Sequence, residues 1–171
     1  MKGKLYIFVL CILLTCSCAR SLESTDIIGP GDPLPSFSVK LSDGHTVTTN
    51  SLRGAPALLI FFNTHCGTCR KELPRLQKLH RSIPLRMLAI SREESDQSIR
   101  RFWQENGLTI PYAPQAGRRI YNQFAIRYIP RLYLTDSTGR IHKVFRSTTR
   151  NRQIRKEWKR LTRHTMTPPS N

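Results

Sequence analysis

The stretch FFNTHCGTCRKELP, Phe61–Pro74, sets two cysteines two residues apart, directly after an apolar run and at the start of a predicted helix. Upstream, APALLIFF (Ala55–Phe62) is short and apolar throughout. That pattern predicts a central parallel strand covered on both faces. Downstream, Leu73, Leu76 and Leu79 recur at three-residue spacing, which predicts a helix over Arg70–Arg81, with Pro74 inside it predicting a kink. The cysteines therefore mark a strand-to-helix junction. Three uses are open to them: metal ligation, a structural staple, or redox chemistry.

A zinc site normally takes four ligands, and one Cys-x-x-Cys supplies two. His65 and His80 are the nearby nitrogen donors, neither at a spacing that demands recruitment, so no metal is assigned. Redox chemistry needs a thiolate that attacks a disulfide and a second thiol close enough to release the mixed disulfide. Cys66 and Cys69 supply both. At the junction, free helix amides and the macrodipole stabilise negative charge on the Cys66 sulfur. Cys66 is expected to be the exposed nucleophile and Cys69, one turn inward, the resolving thiol.

The remaining cysteines belong to the leader. In MKGKLYIFVLCILLTCSCAR, Lys2 and Lys4 form a basic region and Leu5–Leu14 an apolar one, the pattern of an export signal. The apolar run is shorter than the roughly 20 residues a transmembrane helix needs. Two kinds of processing compete. LLTC (Leu13–Cys16) and TCSC (Thr15–Cys18) each approximate a bacterial lipoprotein box, with Cys16 and Cys18 as lipidation candidates, whereas Ser17–Ala19 imitates an ordinary cleavage site. The expected plan is a leader over 1–19, a linker over 20–28, one folded domain over 29–163 and a disordered tail over 164–171. The expected location is the bacterial periplasm, or the cell envelope as a membrane-anchored lipoprotein. A cysteine pair kept alone in the folded part of an exported chain points to redox use rather than stapling.

Elsewhere, Phe37, Val39 and Leu41 alternate with polar residues before the SDGH turn, which predicts a hairpin. LRMLAI (Leu85–Ile90) predicts another buried strand. SREE (Ser91–Glu94) resembles a capping box opening a helix with Ile99, Phe102 and Trp103 inward, ended by Gly107. Gly117–Ile126 predicts a short helix carrying Ile120, Tyr121 and Phe124. Ile129–Phe145 divides at DSTG into a second hairpin, and Asn151–Thr162 carries Ile154, Trp158 and Leu161 on one helical stripe. This order of elements implies an α/β domain with a central mixed sheet and helices on both faces.

LLIFFNTHCGTCRKELPRL (Leu58–Leu76) resembles the active-site segment of the thioredoxin superfamily, in particular its exported TlpA/ResA-type thiol-disulfide oxidoreductases, which are related to the AhpC/TSA group. YIPRLYLTDSTGRI (Tyr128–Ile141) is similar to that family's cis-proline strand. Gly31–Phe62 is similar to its amino-terminal hairpin and first core strand. The likeness covers about Gly29–Phe145. It implies a thioredoxin-like three-layer sandwich with an added N-terminal β-hairpin and no bound cofactor. It also implies that Pro130 is cis and faces the cysteines, that the backbone of Ile129 binds an extended substrate, and that Glu72 is the acid of the Cys-x-x-Cys-x-x-Glu-x-Pro pattern, tuning proton transfer at Cys69. His65 stands where tryptophan is common, and Gly67–Thr68 where Gly-Pro is common. An imidazolium at His65 would stabilise the neighbouring thiolate, and a solvent-facing histidine with no such role fits the sequence at least as well.

The implied partners are a disulfide-bearing protein or small-thiol substrate and a membrane or exported electron donor or acceptor. The chain is expected to be a monomer. Two rivals remain. One is a peroxiredoxin-like thiol peroxidase, disfavoured because Asn63 replaces the threonine found three residues before the reactive cysteine of that group. The other is a non-enzymatic periplasmic metal-binding or delivery module. The balance of 28 basic against 11 acidic residues gives a net charge of +17, and Arg140–Arg163 is especially basic, with Glu157 its one acid. An export leader and the lack of a recognition module speak against nucleic acid. The charge reads as a solvated basic helix, suited to anionic membrane surfaces or acidic partners.

Overall fold

The computed structural model describes residues 26–146 and 150–165. The predicted leader, with Cys16 and Cys18, and residues 166–171 of the predicted tail lie outside the described residues.

The apolar run around Leu58–Phe62 becomes β3 (Ala57–Phe62), fully buried along its length. It lies at the centre of a five-stranded mixed sheet with β4 (Arg86–Ser91), β5 (Tyr112–Ala113), β6 (Arg131–Thr135) and β7 (Ile141–Arg146), in the order β5-β4-β3-β6-β7. Strands β3, β4 and β5 run parallel, while β6 is antiparallel to both β3 and β7. The predicted hairpin forms a separate two-stranded sheet, β1 (Ser38–Lys40) with β2 (Thr46–Thr48).

Alternation along β3 divides the core. Leu58, Ile60 and Phe62 pack with Cys69, Leu73, Leu76 and Leu79 of α1 (Gly67–His80), with Ile99, Phe102 and Trp103 of α2 (Asp96–Glu105), and with Ile154, Trp158 and Leu161 of α3 (Asn151–Thr165). Two crossovers of the same hand, β3-α1-β4 and β4-α2-β5, step the same way across the sheet, so their helices share a face. On the other face, Leu59 and Phe61 pack against the hairpin and the 3-10 turns at Asn50–Leu52 and Tyr121–Gln123, through Val39, Leu52, Tyr121 and Phe124. The three-layer thioredoxin-like arrangement is thus present, with the α-helices concentrated on one side.

Helix α3 is held by its single acid. Glu157 is buried, and its carboxylate accepts bonds from Arg160 and Lys143 and pairs with His142 Nε2 at 3.1 Å. The basic face of α3 is therefore outermost.

Four local expectations change. Helix α1 begins at Gly67, three residues before the expected start at Arg70, and contains Pro74. Ser91 and Glu94 do not form a capping box: Ser91 closes β4, its Oγ accepting from Gln115 N at 2.7 Å, and Ser95 caps α2 by accepting from Ser98 N. Glu94 is pulled away by a contact with Thr64, 30 residues distant. The short helix expected over Gly117–Ile126 shrinks to a 3-10 turn at Tyr121–Gln123, where Gln123 N bonds to Ile120 O and Phe124 N to Tyr121 O at the tighter three-residue spacing. Strand β5 is absent from the sequence reading; its two residues between Pro111 and Pro114 are too few to show a period.

Candidate active site

Parallel β3 ends at Phe62, and antiparallel β6 begins at Arg131, which is paired with Phe61. The loop carrying Cys66 and the loop carrying Ile129–Pro130 therefore meet at one end of the sheet. Cys66 is the N-cap of α1, its backbone extended and its amide donating to Asn63 O at 3.1 Å. Its Sγ accepts from Cys69 N at 3.5 Å and donates to Ile129 O at 3.6 Å. The Ile129–Pro130 bond is cis, as the resemblance implies.

The two thiols are unequal. Both are free, Cys66 partly exposed and Cys69 fully buried. Burial pushes the Cys69 thiol well above its ordinary value, against a backbone hydrogen bond from Asn63. One turn further along α1, Glu72 is also buried. Arg75 Nη1 donates to its Oε2 at 3.0 Å, while Oε1 has no hydrogen-bond partner among the described residues. Desolvation raises the pKa of this carboxyl, opposed by the Arg75 charge. Cys66, Cys69, Ile129 and Pro130 are thus gathered at one end of the sheet, with Glu72 one turn further along α1.

Sequence reasoning missed two buried groups here. Glu94 accepts from Thr64 N at 2.8 Å, from Thr64 Oγ1 and from Ser98 Oγ at 2.9 Å, and its Oε1 lies 3.5 Å from His65 Nδ1. It fixes the two residues that lead into Cys66. No local signal marks it as a site residue, since Thr64 and His65 lie about 30 residues upstream. Arg131, directly after Pro130, is buried, bonded to Asp26 and donating twice to Arg127 O. Arg146 and Tyr133 OH reach the same Asp26 carboxylate. A charge inside the apolar run RLYLT was a visible signal, because a buried guanidinium requires a partner.

The AhpC/TSA family pattern matches residues 30–144. The chain belongs to the AhpC/TSA family. Within it, the chain is a TlpA/ResA-type member of the thioredoxin superfamily. It is 26% identical over 114 residues to the thiol-disulfide oxidoreductase ResA of Bacillus thuringiensis (strain Al Hakam), covering 65% of this chain and 66% of that protein. The match thus spans about two thirds of that relative's length. ResA of Bacillus subtilis (strain 168) is 23% identical over 159 residues, covering 86% of this chain and 89% of the relative. A solution structure of a candidate protein disulfide isomerase from Bacteroides thetaiotaomicron superposes with a TM-score of 0.72 at 30% identity, covering 82% of this chain and 97% of that one. Among the described residues no cluster of three or more His, Cys, Asp or Glu is placed to hold a metal, and no helix is long and apolar enough to cross a membrane.

Proposed function

We propose that this AhpC/TSA family member is an exported thiol-disulfide oxidoreductase that works as a reductase through Cys66 and Cys69. The observation that carries the reading is the setting of Cys66 Sγ, held between the Cys69 amide and the Ile129 carbonyl, with a buried second thiol one turn inward.

The Cys66 thiolate attacks one sulfur of a substrate disulfide, forming a mixed disulfide and expelling the other half as a thiolate, which takes up a proton. Cys69 then loses its proton and attacks Cys66 Sγ, closing the Cys66–Cys69 disulfide and releasing the second substrate thiol. Two electrons pass from the protein to the substrate. Glu72, neutralised readily because it is buried, accepts or relays the Cys69 proton. Ile129 and Pro130 orient an extended substrate chain, with the Ile129 carbonyl as backbone acceptor.

The direction of flow is argued from Cys69. Burial disfavours the Cys69 thiolate, so the reduced pair lacks the anion stabilisation that makes such a couple oxidising, which favours work as a reductant. Export rests on the leader, which favours a periplasmic or lipid-anchored location with Cys16 or Cys18 modified. Regeneration then requires a membrane or exported electron donor. The protein needs no cofactor of its own and acts as a monomer on disulfide-bearing proteins or small disulfides.

The test is substrate trapping. Cys69→Ser protein should accumulate mixed disulfides with envelope proteins that dithiothreitol releases, and Cys66→Ser should accumulate none. Equal trapping by both variants, or by neither, would contradict the assignment.

A further inference from the structure

Helix α3 carries a more one-sided charge than α1 or α2. Its Lys and Arg residues are Arg152, Arg155, Lys156, Lys159, Arg160 and Arg163, and its single acid is Glu157. That acid is buried and turned to His142 and Lys143 of β7, with Arg160 bonded to it. The other helices mix the signs, Glu72 pairing with Arg75 on α1 and Asp96 with Arg100 on α2. The six basic residues of α3 recur at spacings of three and four, so they form one stripe. Together they line an open groove of ≈ 520 Å³ to which no acid or apolar side chain contributes. The stripe runs about 17 Å along the helix. Ile154, Trp158 and Leu161 lie on the opposite side, packed on the core. The exposed large apolar side chains among the described residues are Ile27, Ile126 and Tyr128, none of them on α3. The stripe thus lacks the aromatic or aliphatic anchor around which a protein interface is built, and matches a plane of anionic headgroups by charge alone.

The path of the chain points the same way. Asp26 to Pro30 share a cavity of ≈ 920 Å³ with Gln153, Lys156 and Glu157 of α3. Lys156 borders both this cavity and the basic groove. The segment that precedes Asp26 in sequence therefore joins the domain beside the stripe. Cys16 and Cys18, the lipidation candidates, are ten and eight residues from Asp26. Even a fully extended chain of that length reaches at most about 35 Å. A membrane anchor at either cysteine would hold α3 close to the bilayer.

We infer that the outer face of α3 docks on the headgroup plane of an anionic phospholipid bilayer. Lys and Arg side chains pair with lipid phosphates there, and the helix does not insert. Docking also orients the cysteine site. Asn151 Nδ2 donates to Arg75 O at 2.7 Å and Arg155 Nη2 to Ser82 Oγ at 2.8 Å, so α3 lies against the later half of α1. Cys66, at the other end of α1, stays clear of the docked stripe. This surface is separate from the thiol chemistry and is tested without it.

The experiment floats the full chain with vesicles of phosphatidylcholine, or of phosphatidylcholine and phosphatidylglycerol in equal parts, and reads the ratio of binding to the two. The leader is common to every variant and so drops out of the comparison. Combined Arg152→Gln, Lys156→Gln and Lys159→Gln should lower the ratio by tenfold or more, since each basic residue at such a surface contributes about fivefold. Lys40→Gln, Arg53→Gln and Arg119→Gln remove the same charge from exposed positions beside elements that pack on the opposite face of the sheet, and should change it little. Raising salt should abolish the native preference, as the Debye length falls from about 10 Å at 0.1 M to about 3 Å at 1 M. All replaced side chains are exposed, so urea midpoints near the native one should show that each variant folds. Equal binding of the native chain to both vesicles, or equal losses in the two triple variants, would overturn the proposal. Native-like vesicle binding by the α3 variant, with loss of binding to a polyglutamate peptide, would overturn it in favour of an acidic protein partner.

Discussion

The carbonyl oxygen of Ile129 lies 3.6 Å from the Sγ of Cys66, across 63 residues of sequence. An amide of a substrate chain lying beside the attacked disulfide is within reach of the same oxygen. In a cystine peptide, N-methylating the flanking backbone positions one at a time should cost about tenfold in kcat/KM at one position and little at the others, the scale of one buried hydrogen bond. Uniform tolerance in a kinetic scan would remove Ile129 from substrate binding.

Unequal burial of the thiols predicts unequal reactivity. In the reduced protein, iodoacetamide at neutral pH should label Cys66 faster than Cys69 by on the order of 10²-fold, since the thiolate is the reacting form and Cys69 is both buried and held as a thiol. Peptide mapping by mass spectrometry against time gives the ratio. Comparable rates would mean that Cys69 is not the inner thiol.

Glu72 predicts a particular pH dependence of stability. Its folded pKa lies above its unfolded value, so unfolding releases a proton in the interval between the two. Stability therefore falls as pH rises from the ordinary glutamate value through the folded one, and is flat below that interval. Glu72→Gln should abolish this part of the profile, measured as urea midpoints from pH 4 to 8, and should slow closure of the Cys66–Cys69 disulfide after mixed-disulfide formation. An unchanged slope would mean that the carboxyl ionises alike in both states.

Asp26 predicts a stability effect far from its place in the sequence. Its carboxylate meets Arg131, buried beside Pro130, and also Arg146. Asp26→Ala should destabilise the fold by on the order of 3 kcal/mol, the cost of taking one partner from a buried ion pair. Denaturant unfolding measures it; a loss below about 0.5 kcal/mol, the scale of ordinary surface substitutions, would show that Arg131 is satisfied without Asp26.

What was legible in the sequence depended on range. Ala55–Phe62, Leu85–Ile90 and the Cys-x-x-Cys junction follow from local period and burial; the structure keeps both strands within one or two residues and starts the helix three residues earlier, at Gly67. Glu94 went wrong because a local rule, Ser-x-x-Glu before an apolar stripe, competes with a contact to Thr64 that no window contains. The segment around Tyr121–Gln123 was overread as a longer helix: its apolar residues Ile120, Tyr121 and Phe124 suit one helical face, but the backbone closes there through i→i−3 bonds. At the site, Cys66, Cys69 and Glu72 share one helix and could be seen together. Ile129 and Pro130 were placed beside them by family resemblance, since only the pairing of β3 with β6 brings the two loops to one end.

The central claim is that Cys66 and Cys69 form one reversible redox couple. Its most direct measurement is equilibration of the folded domain in dithiothreitol or glutathione buffers of graded potential, with the Cys66–Cys69 disulfide followed by mass spectrometry. The account predicts a single two-electron transition, monomeric throughout, at a potential more reducing than that of glutathione. Absence of an intramolecular disulfide at any potential, with Cys66 instead capped by glutathione while Cys69 stays a free thiol, would contradict it.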